Sequence, residues 1–283
     1  MKQKKTHKTN STTHIAWHPA FVEAIQLELE AYQDALEFHT EYPLTSEPLK
    51  IDCIVIKKAK DVVITKNIAA IFREVNLLEY KSPGDYISIA DFYKVYAYAC
   101  LYAALQNVPI TILTINFVES RFPRELLDHL QKVHGYTVEK NCPGIYYVKG
   151  DILPIQIIDS KQLSAGENFW LKGLSNKLDP LSVIQISDEV ARRNKNIKVK
   201  AYMDVLTRAN FHAIEEAMNM SSPAKSLEEV MERTGFTARV EERNTLAIAQ
   251  NMINLGYPVE AIASATKLDI KRVKELHKED SKQ

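Results

Sequence analysis

The amino-acid sequence predicts an α/β fold, a mixed central sheet flanked by helices and followed by a helical C-terminal region. Three observations carry this expectation. Short β-branched runs alternate with helical periodicity as far as Gln162, strand-like runs nearly vanish after it, and the composition is that of an ordinary globular chain. The 283 residues are 46% hydrophobic and 25% charged, enough for a buried core and a smaller second domain. The 36 Lys+Arg balance 36 Asp+Glu, so nucleic-acid phosphate meets no overall attraction and any such contact depends on local basic patches.

Eight glycines and eleven prolines exclude collagen-like and low-complexity classes. Cys53, Cys100 and Cys142 are widely spaced and form no CxxC pair, which argues against a disulfide framework or a zinc knuckle and for reduced, mostly buried thiols. Lys2, Lys4, Lys5 and Lys8 are followed by Thr, Asn and Ser where a secretion signal needs an apolar run. Residues 1–15 are expected to form a flexible basic tail. The most apolar stretch, 96–105, is far shorter than the roughly 20 residues needed to span a bilayer. A cytoplasmic protein without a membrane partner is the expectation.

The elements follow in order. Pro19, at the start of a run through Phe21, Ile25, Leu27, Leu29, Tyr32 and Leu36, suits the first turn of a helix. The run 49–56 is compact and β-branched and predicts a buried strand, with a shorter strand or turn at 61–64. A second central strand, 75–81, is stopped by Ser82-Pro83-Gly84. Ser88 and Asp91 have the spacing of a capping box, and Phe92, Val95, Tyr96, Ala99, Leu101, Tyr102 and Leu105 continue as a long helix. Residues 109–118 predict another strand, 121–130 a helix, and 144–148 and 153–158 two further strands.

The residues that could carry chemistry are Asp52, Glu79 and Lys81. Glu79 and Lys81 are two apart on a strand, so both side chains project from one face while Tyr80 points the other way. Asp52 opens the preceding strand. Two carboxylates that converge can share a hard divalent cation such as Mg²⁺ or Mn²⁺, which takes oxygen ligands and keeps several waters. The carbonyl of Tyr80 is the candidate backbone ligand, and a nearby lysine can balance charge during phosphodiester hydrolysis. Among the acids of the first helix, Glu28 is preferred over Glu23 and Glu30 as a partner for the metal's water. Glu-x-Lys on a strand is also common as a solvated ion pair contributing about 0 to 1 kcal/mol. An apolar strand before it, an acidic helix ahead and a capped helix behind favour the site reading.

At these residues the sequence resembles the PD-(D/E)XK nuclease superfamily, and more narrowly its transposase-like, recombination-promoting nuclease branch. The resemblance is carried by Trp17-His18-Pro19-Ala20-Phe21, by Lys50-Ile51-Asp52, by Glu79-Tyr80-Lys81-Ser82-Pro83 and by Asp91-Phe92-Tyr93-Lys94-Val95-Tyr96-Ala97-Tyr98. It covers residues 17–162 and departs from the family at Ile51, where a proline would precede Asp52. It implies a restriction-endonuclease-like core over 16–162 and a metal-dependent DNA endonuclease linked to transposition or recombination. Asp52 and Glu79 would be the metal ligands, Lys81 the catalytic lysine and Glu28 the helix acid.

Residues 163–283 are expected to be helical and to position DNA or form a homodimer. Within them, 259–277 resembles a helix-turn-helix whose second helix offers Lys271, Arg272 and Lys274 to phosphates or base edges. A helical hairpin used for packing is the competing reading, since the turn lacks a glycine. The basic cluster 192–200 could be a DNA contact or a solvated loop, and 221–223 marks a break. Tyr93, Lys94 and Tyr96 could meet phosphate or pack on the sheet. His14 and His18 could form a metal pair but lack a third ligand. The alternative function is a DNA-binding or interaction protein that acts through its helical region, with the core as scaffold.

Overall fold

The structure is a computed structural model that describes residues 17–43, 50–57, 62–193, 199–220, 225–233 and 235–280. The expected tail at 1–15, His14, Asp61, the break at 221–223 and positions 194–198 of the basic cluster lie outside the described residues.

Among the described residues, seven strands form one mixed sheet: β1 (Leu36–Pro43), β2 (Lys50–Lys57), β3 (Val75–Tyr80), β4 (Leu113–Glu119), β5 (Thr137–Cys142), β6 (Ile145–Lys149) and β7 (Ile155–Asp159). Their spatial order is β1-β2-β3-β4-β7-β6-β5. The first three strands form an antiparallel meander, β3, β4 and β7 run parallel, and β6 and β5 return antiparallel. Helix α1 (Trp17–Glu28) precedes the sheet, and α2 (Ile89–Gln106) and α3 (Arg124–His134) follow β3 and β4.

Odd-numbered positions of the parallel strands form a core with the helices that cross over them. Val75 and Leu77 of β3, Leu113, Ile115 and Phe117 of β4, and Ile155 and Ile157 of β7 share one cluster with Phe92, Val95, Tyr98, Ala99 and Tyr102 of α2 and Leu126, Leu127 and Leu130 of α3. Burying a large apolar side chain of this kind contributes roughly 1.5–3 kcal/mol. The capping box starts α2: the Ser88 hydroxyl accepts from the Asp91 amide at 3.1 Å and Asp91 Oδ2 accepts from the Ser88 amide at 3.0 Å. Asn107, in the left-handed region at φ 53°, ends it.

Even-numbered positions of the same strands carry a buried polar ladder that the apolar pattern concealed. Thr114 Oγ1 lies 2.7 Å from Asn76 Oδ1, Asn116 Nδ2 donates to Thr114 Oγ1 at 3.0 Å, and Gln156 Nε2 donates to Asn116 Oδ1 at 2.8 Å. Asn76 and Asn116 also donate to the carbonyls of Val55 and Leu77. A one-residue slip would move these groups to the opposite face and unpair them, so the ladder pins the register.

Three elements differ from the sequence expectation. The first helix stops at Glu28, a 3-10 turn covers Glu30–Ala35, and β1 begins at Leu36, because pairing with β2 from Leu36↔Lys57 to Pro43↔Lys50 overrides local helical preference. The stretch expected to be strand from 109 opens instead with a 3-10 turn at Ile110–Ile112. β5 has mostly exposed, polar residues and therefore no hydrophobic signal; β6 and the 2.5 Å Lys149–Glu139 ion pair hold it in place. The β5–β6 turn requires Gly144, which has φ +81° and no room for a Cβ against the Asp159 carbonyl, 2.6 Å away.

The α/β unit also continues beyond Gln162, where the composition changes. It includes the described residues to Ile186 and 199–217, with α4 (Phe169–Gly173), the start of α5 (Pro180–Arg192), α6 (Lys200–Ala209) and most of α7 (Phe211–Met218). The reason is packing on α1: Glu23 Oε2 accepts from the Tyr202 amide at 2.6 Å, Glu28 Oε1 accepts from the Leu171 amide at 3.0 Å, and Tyr202 donates to the Trp170 carbonyl at 2.8 Å.

A second unit comprises Ser187–Arg193 and the described residues from Met218 onward. In it α9 (Phe236–Asn254), α10 (Val259–Thr266) and α11 (Ile270–Asp280) enclose a small core of Ala249, Ile253, Ile262, Val273 and Leu276. Lys267, at φ +59°, makes the left-handed turn between α10 and α11 where a glycine is usual.

Candidate functional site

Asp52 and Glu79 meet because β2 and β3 pair antiparallel. One step beyond the Cys53↔Leu78 partners, Asp52 stands opposite Glu79, and directly opposed residues share a face of the sheet. The Tyr80 amide donates to Asp52 Oδ2 at 2.8 Å, which anchors the carboxylate at the end of β3. His18 of α1 holds the other oxygen, with Nδ1 3.1 Å from Oδ1. The Tyr80 ring points to the opposite face and stacks on Phe21 of α1 at 4.5 Å, which brings His18 to this end of the sheet.

Lys81 follows β3 directly. Its Nζ lies 2.9 Å from Asp91 Oδ1 and 3.7 Å from Glu79 Oε1. Lys94, one turn along α2 from Asp91, places its Nζ 3.4 Å from Glu79 Oε1 and 3.8 Å from Asp91 Oδ1. Asp91 therefore caps α2 with one oxygen and orients the strand lysine with the other. Sequence reasoning saw the cap, but the span from 81 to 91 crosses a turn and left no signal for the second role.

The electrostatics are uneven. Glu79 is 4% exposed, its Oε1 faces two lysines, and its Oε2 is buried with no hydrogen-bond partner among the described residues. Burial, and then the negative field of Asp52, push its carboxyl up to about 7 against the pull of Lys94 and Lys81. The hydrogen bond to Asp52 raises the His18 imidazole above its usual value despite partial burial. Lys81 is pulled down by burial, but Asp91 and Glu79 outweigh this and leave it raised. Burial raises Asp91, while its bonds to Ser88 and Lys81 prevail and lower it.

The structure thus brings Asp52, Glu79, Lys81 and the Tyr80 backbone together. It does not bring Glu28 to them. Glu28 ends α1, ten residues after His18, which is about 15 Å along a helix axis. Its Oε2 lies 2.5 Å from Lys66 Nζ and its Oε1 accepts from the Leu171 amide. Of the other expected contacts, Lys94 reaches Glu79, whereas Tyr93 bonds His129 and His134, and Tyr96 bonds Asp151. His18 pairs with Asp52.

Sequence reasoning missed a further buried acid. Glu119 closes β4 beside Asp159, its in-register partner on β7. It is 0% exposed, its Oε2 accepts from the Ile87 amide at 3.3 Å, and its Oε1 has no partner among the described residues. Burial pushes its carboxyl up to about 8, with a contribution from Asp159.

Among the described residues no group of three or more His, Cys, Asp and Glu is arranged to hold a metal ion. Asp52 and Glu79 are two carboxylates, and the unpartnered Glu79 Oε2 is a hard oxygen in a buried, like-charged setting. That donor set suits a hydrated oxygen-seeking cation, which takes its remaining ligands from water, backbone carbonyl or phosphate. Comparison of the chain with protein-family models, with curated proteins and with solved structures found no match. Among the described residues no helix is long and apolar enough to cross a membrane.

Proposed function

We propose that this chain is a metal-dependent DNA endonuclease, a hydrolase of phosphodiester bonds that uses Mg²⁺ or Mn²⁺ at Asp52 and Glu79. The observation that carries the reading is the juxtaposition of these two carboxylates with the Lys81 ammonium, with one Glu79 oxygen buried and without a partner among the described residues. When bound there, the cation supplies charge stabilisation at a phosphoryl oxygen and acidifies water. His18 and the Tyr80 amide hold Asp52 in place, and the Tyr80 carbonyl is a third oxygen. Asp91 keeps the Lys81 ammonium beside Glu79, where it can balance the charge that develops on the phosphate. Glu28, held by Lys66 and the Leu171 amide, is left out of this assignment. The element order helix, three antiparallel strands, helix, parallel strand supports a restriction-endonuclease-like core of the kind the sequence resemblance implies.

Supercoiled plasmid incubated with the purified chain and Mg²⁺ or Mn²⁺ tests the proposal. Nicking is expected from the native chain and to be strongly reduced in Asp52→Ala and Lys81→Ala. Equal nicking by all three overturns it.

A second reading, DNA binding through the helical unit, is favoured by α11. Lys271, Arg272 and Lys274 are exposed there, while Val273 and Leu276 face the core. It predicts a gel shift that survives chelation and Asp52→Ala but is lost when all three basic residues are replaced by alanine. The salt dependence of the shift would report phosphate contacts.

A further inference from the structure

Beside Asp52 lies a cavity of about 250 Å³, lined by His18, Val22, Glu23 and Gln26 of α1, Thr40 of β1 and Asp52 itself. Its size is below the roughly 300 Å³ at which pockets begin to enclose whole drug-sized ligands. It suits one planar group. Among the described residues the lining holds two carboxylates, with His18 paired to one of them, and no lysine or arginine, so it offers a phosphate little attraction. What remains is suited to a neutral ring rich in hydrogen bonds. Val22 offers an apolar wall, and the Gln26 amide and Thr40 hydroxyl can each donate and accept. Those are the needs of a nucleobase. Asp52 belongs both to this lining and to the carboxylate pair, so the cavity adjoins the place where a phosphate would meet the cation.

We propose that this cavity receives one unstacked base beside the scissile phosphate, so that the preferred substrate is single-stranded DNA or an unpaired flap rather than continuous duplex. The proposal rests on the nuclease reading and adds the substrate class to it. A base inside a duplex must first leave its stack and its partner to enter the cavity, whereas a single strand presents it freely. The selectivity is therefore built mainly by residues of α1 and β1 that border Asp52.

The test uses the full chain with Mn²⁺ and one labelled DNA sequence offered as single strand, as continuous duplex and as duplex with a flap. Native chain is expected to cleave the single strand and the flap at least about tenfold faster than the duplex. Gln26→Trp, which fills the cavity, is expected to remove most of that preference while leaving slow duplex nicking; Thr40→Trp checks the result from β1. In parallel, fluorescence anisotropy in EDTA measures the affinity for the single strand, expected to weaken about tenfold in Gln26→Trp. Cleavage that depends on Asp52 but is indifferent to strandedness and to both substitutions overturns the base pocket and leaves hydrolysis standing. Absence of cleavage together with a single-strand affinity that falls in both variants overturns hydrolysis and supports the pocket. If neither cleavage nor affinity responds to the substitutions, the pocket is overturned.

Discussion

Glu28 at the end of α1 and Glu79 near the end of β3 are 7% and 4% exposed, yet their surroundings are opposite. Glu28 has a partner for each oxygen, the Lys66 ammonium and the Leu171 amide. Glu79 shares one oxygen between two lysines at 3.4 and 3.7 Å, faces a second carboxylate and has no donor to its other oxygen among the described residues. Burying a charge is costly unless it is paired and hydrogen-bonded. The first arrangement satisfies that requirement and ties α1 to α4. The second leaves it open at a point where a cation would close it. Burial of an acid is thus no guide to function by itself; whether its oxygens are satisfied discriminates the two.

The largest expected effect breaks the comparison at the open end. Asp52→Asn or Lys81→Ala should each lower plasmid nicking by about 10²- to 10³-fold, measured as initial rate with Mn²⁺, while urea unfolding shows that the fold survives. Next comes the satisfied end. Glu28→Ala should destabilise the chain by about 3 kcal/mol, because Lys66 and the Leu171 amide lose their partner in a largely buried place. Urea denaturation measures it, and a loss below 1 kcal/mol would put Glu28 among merely tolerated charges.

Glu79→Gln should act in the reverse direction. The Glu79 carboxyl is raised from 4.5 to about 7, so between those values the folded chain binds more protons than the unfolded one. Stability therefore falls as pH rises through that window. Without metal, the glutamine variant should be more stable at pH 8 by on the order of 2 kcal/mol and should flatten this part of the stability profile; Mn²⁺ should raise the melting temperature of the native chain only. Glu119→Gln, at a group raised to about 8 mainly by burial, should likewise flatten the profile, as far as that higher pH. The smallest effect is a control on the exposed surface. Lys132→Ala removes the 3.3 Å pair with Asp128 on α3 and should change stability by less than about 0.5 kcal/mol.

Much of the sheet was legible because β2, β3, β4, β6 and β7 are buried on both faces and their β-branched runs have little else to form. The Ser88-Asp91 box announced α2 for a local reason, since both partners lie within one turn. β1 and β5 were not legible: one adjoins a helical run, the other is polar, and both exist because a neighbouring strand supplies their backbone partners. At the site, Glu79 and Lys81 could be paired from strand alternation alone. Asp52 could be nominated from its place on an apolar strand. Glu28 was named without a guide to its place, because an acidic helix offers several carboxylates and periodicity does not tell which end of the helix reaches the sheet; the structure sets it with Lys66 and the Leu171 amide.

The sequence by itself determined the class of fold, the two central strands with their acids and lysine, and the start of α2, since these depend on alternation, propensity and capping over a few neighbouring residues. The tertiary structure alone decided which acids are satisfied, that Asp91 orients Lys81, that His18 braces Asp52, and that a cavity opens beside them. Those properties join residues from separate strands and helices. They follow from register and packing, where a single step of strand pairing moves a carboxylate from one face of the sheet to the other.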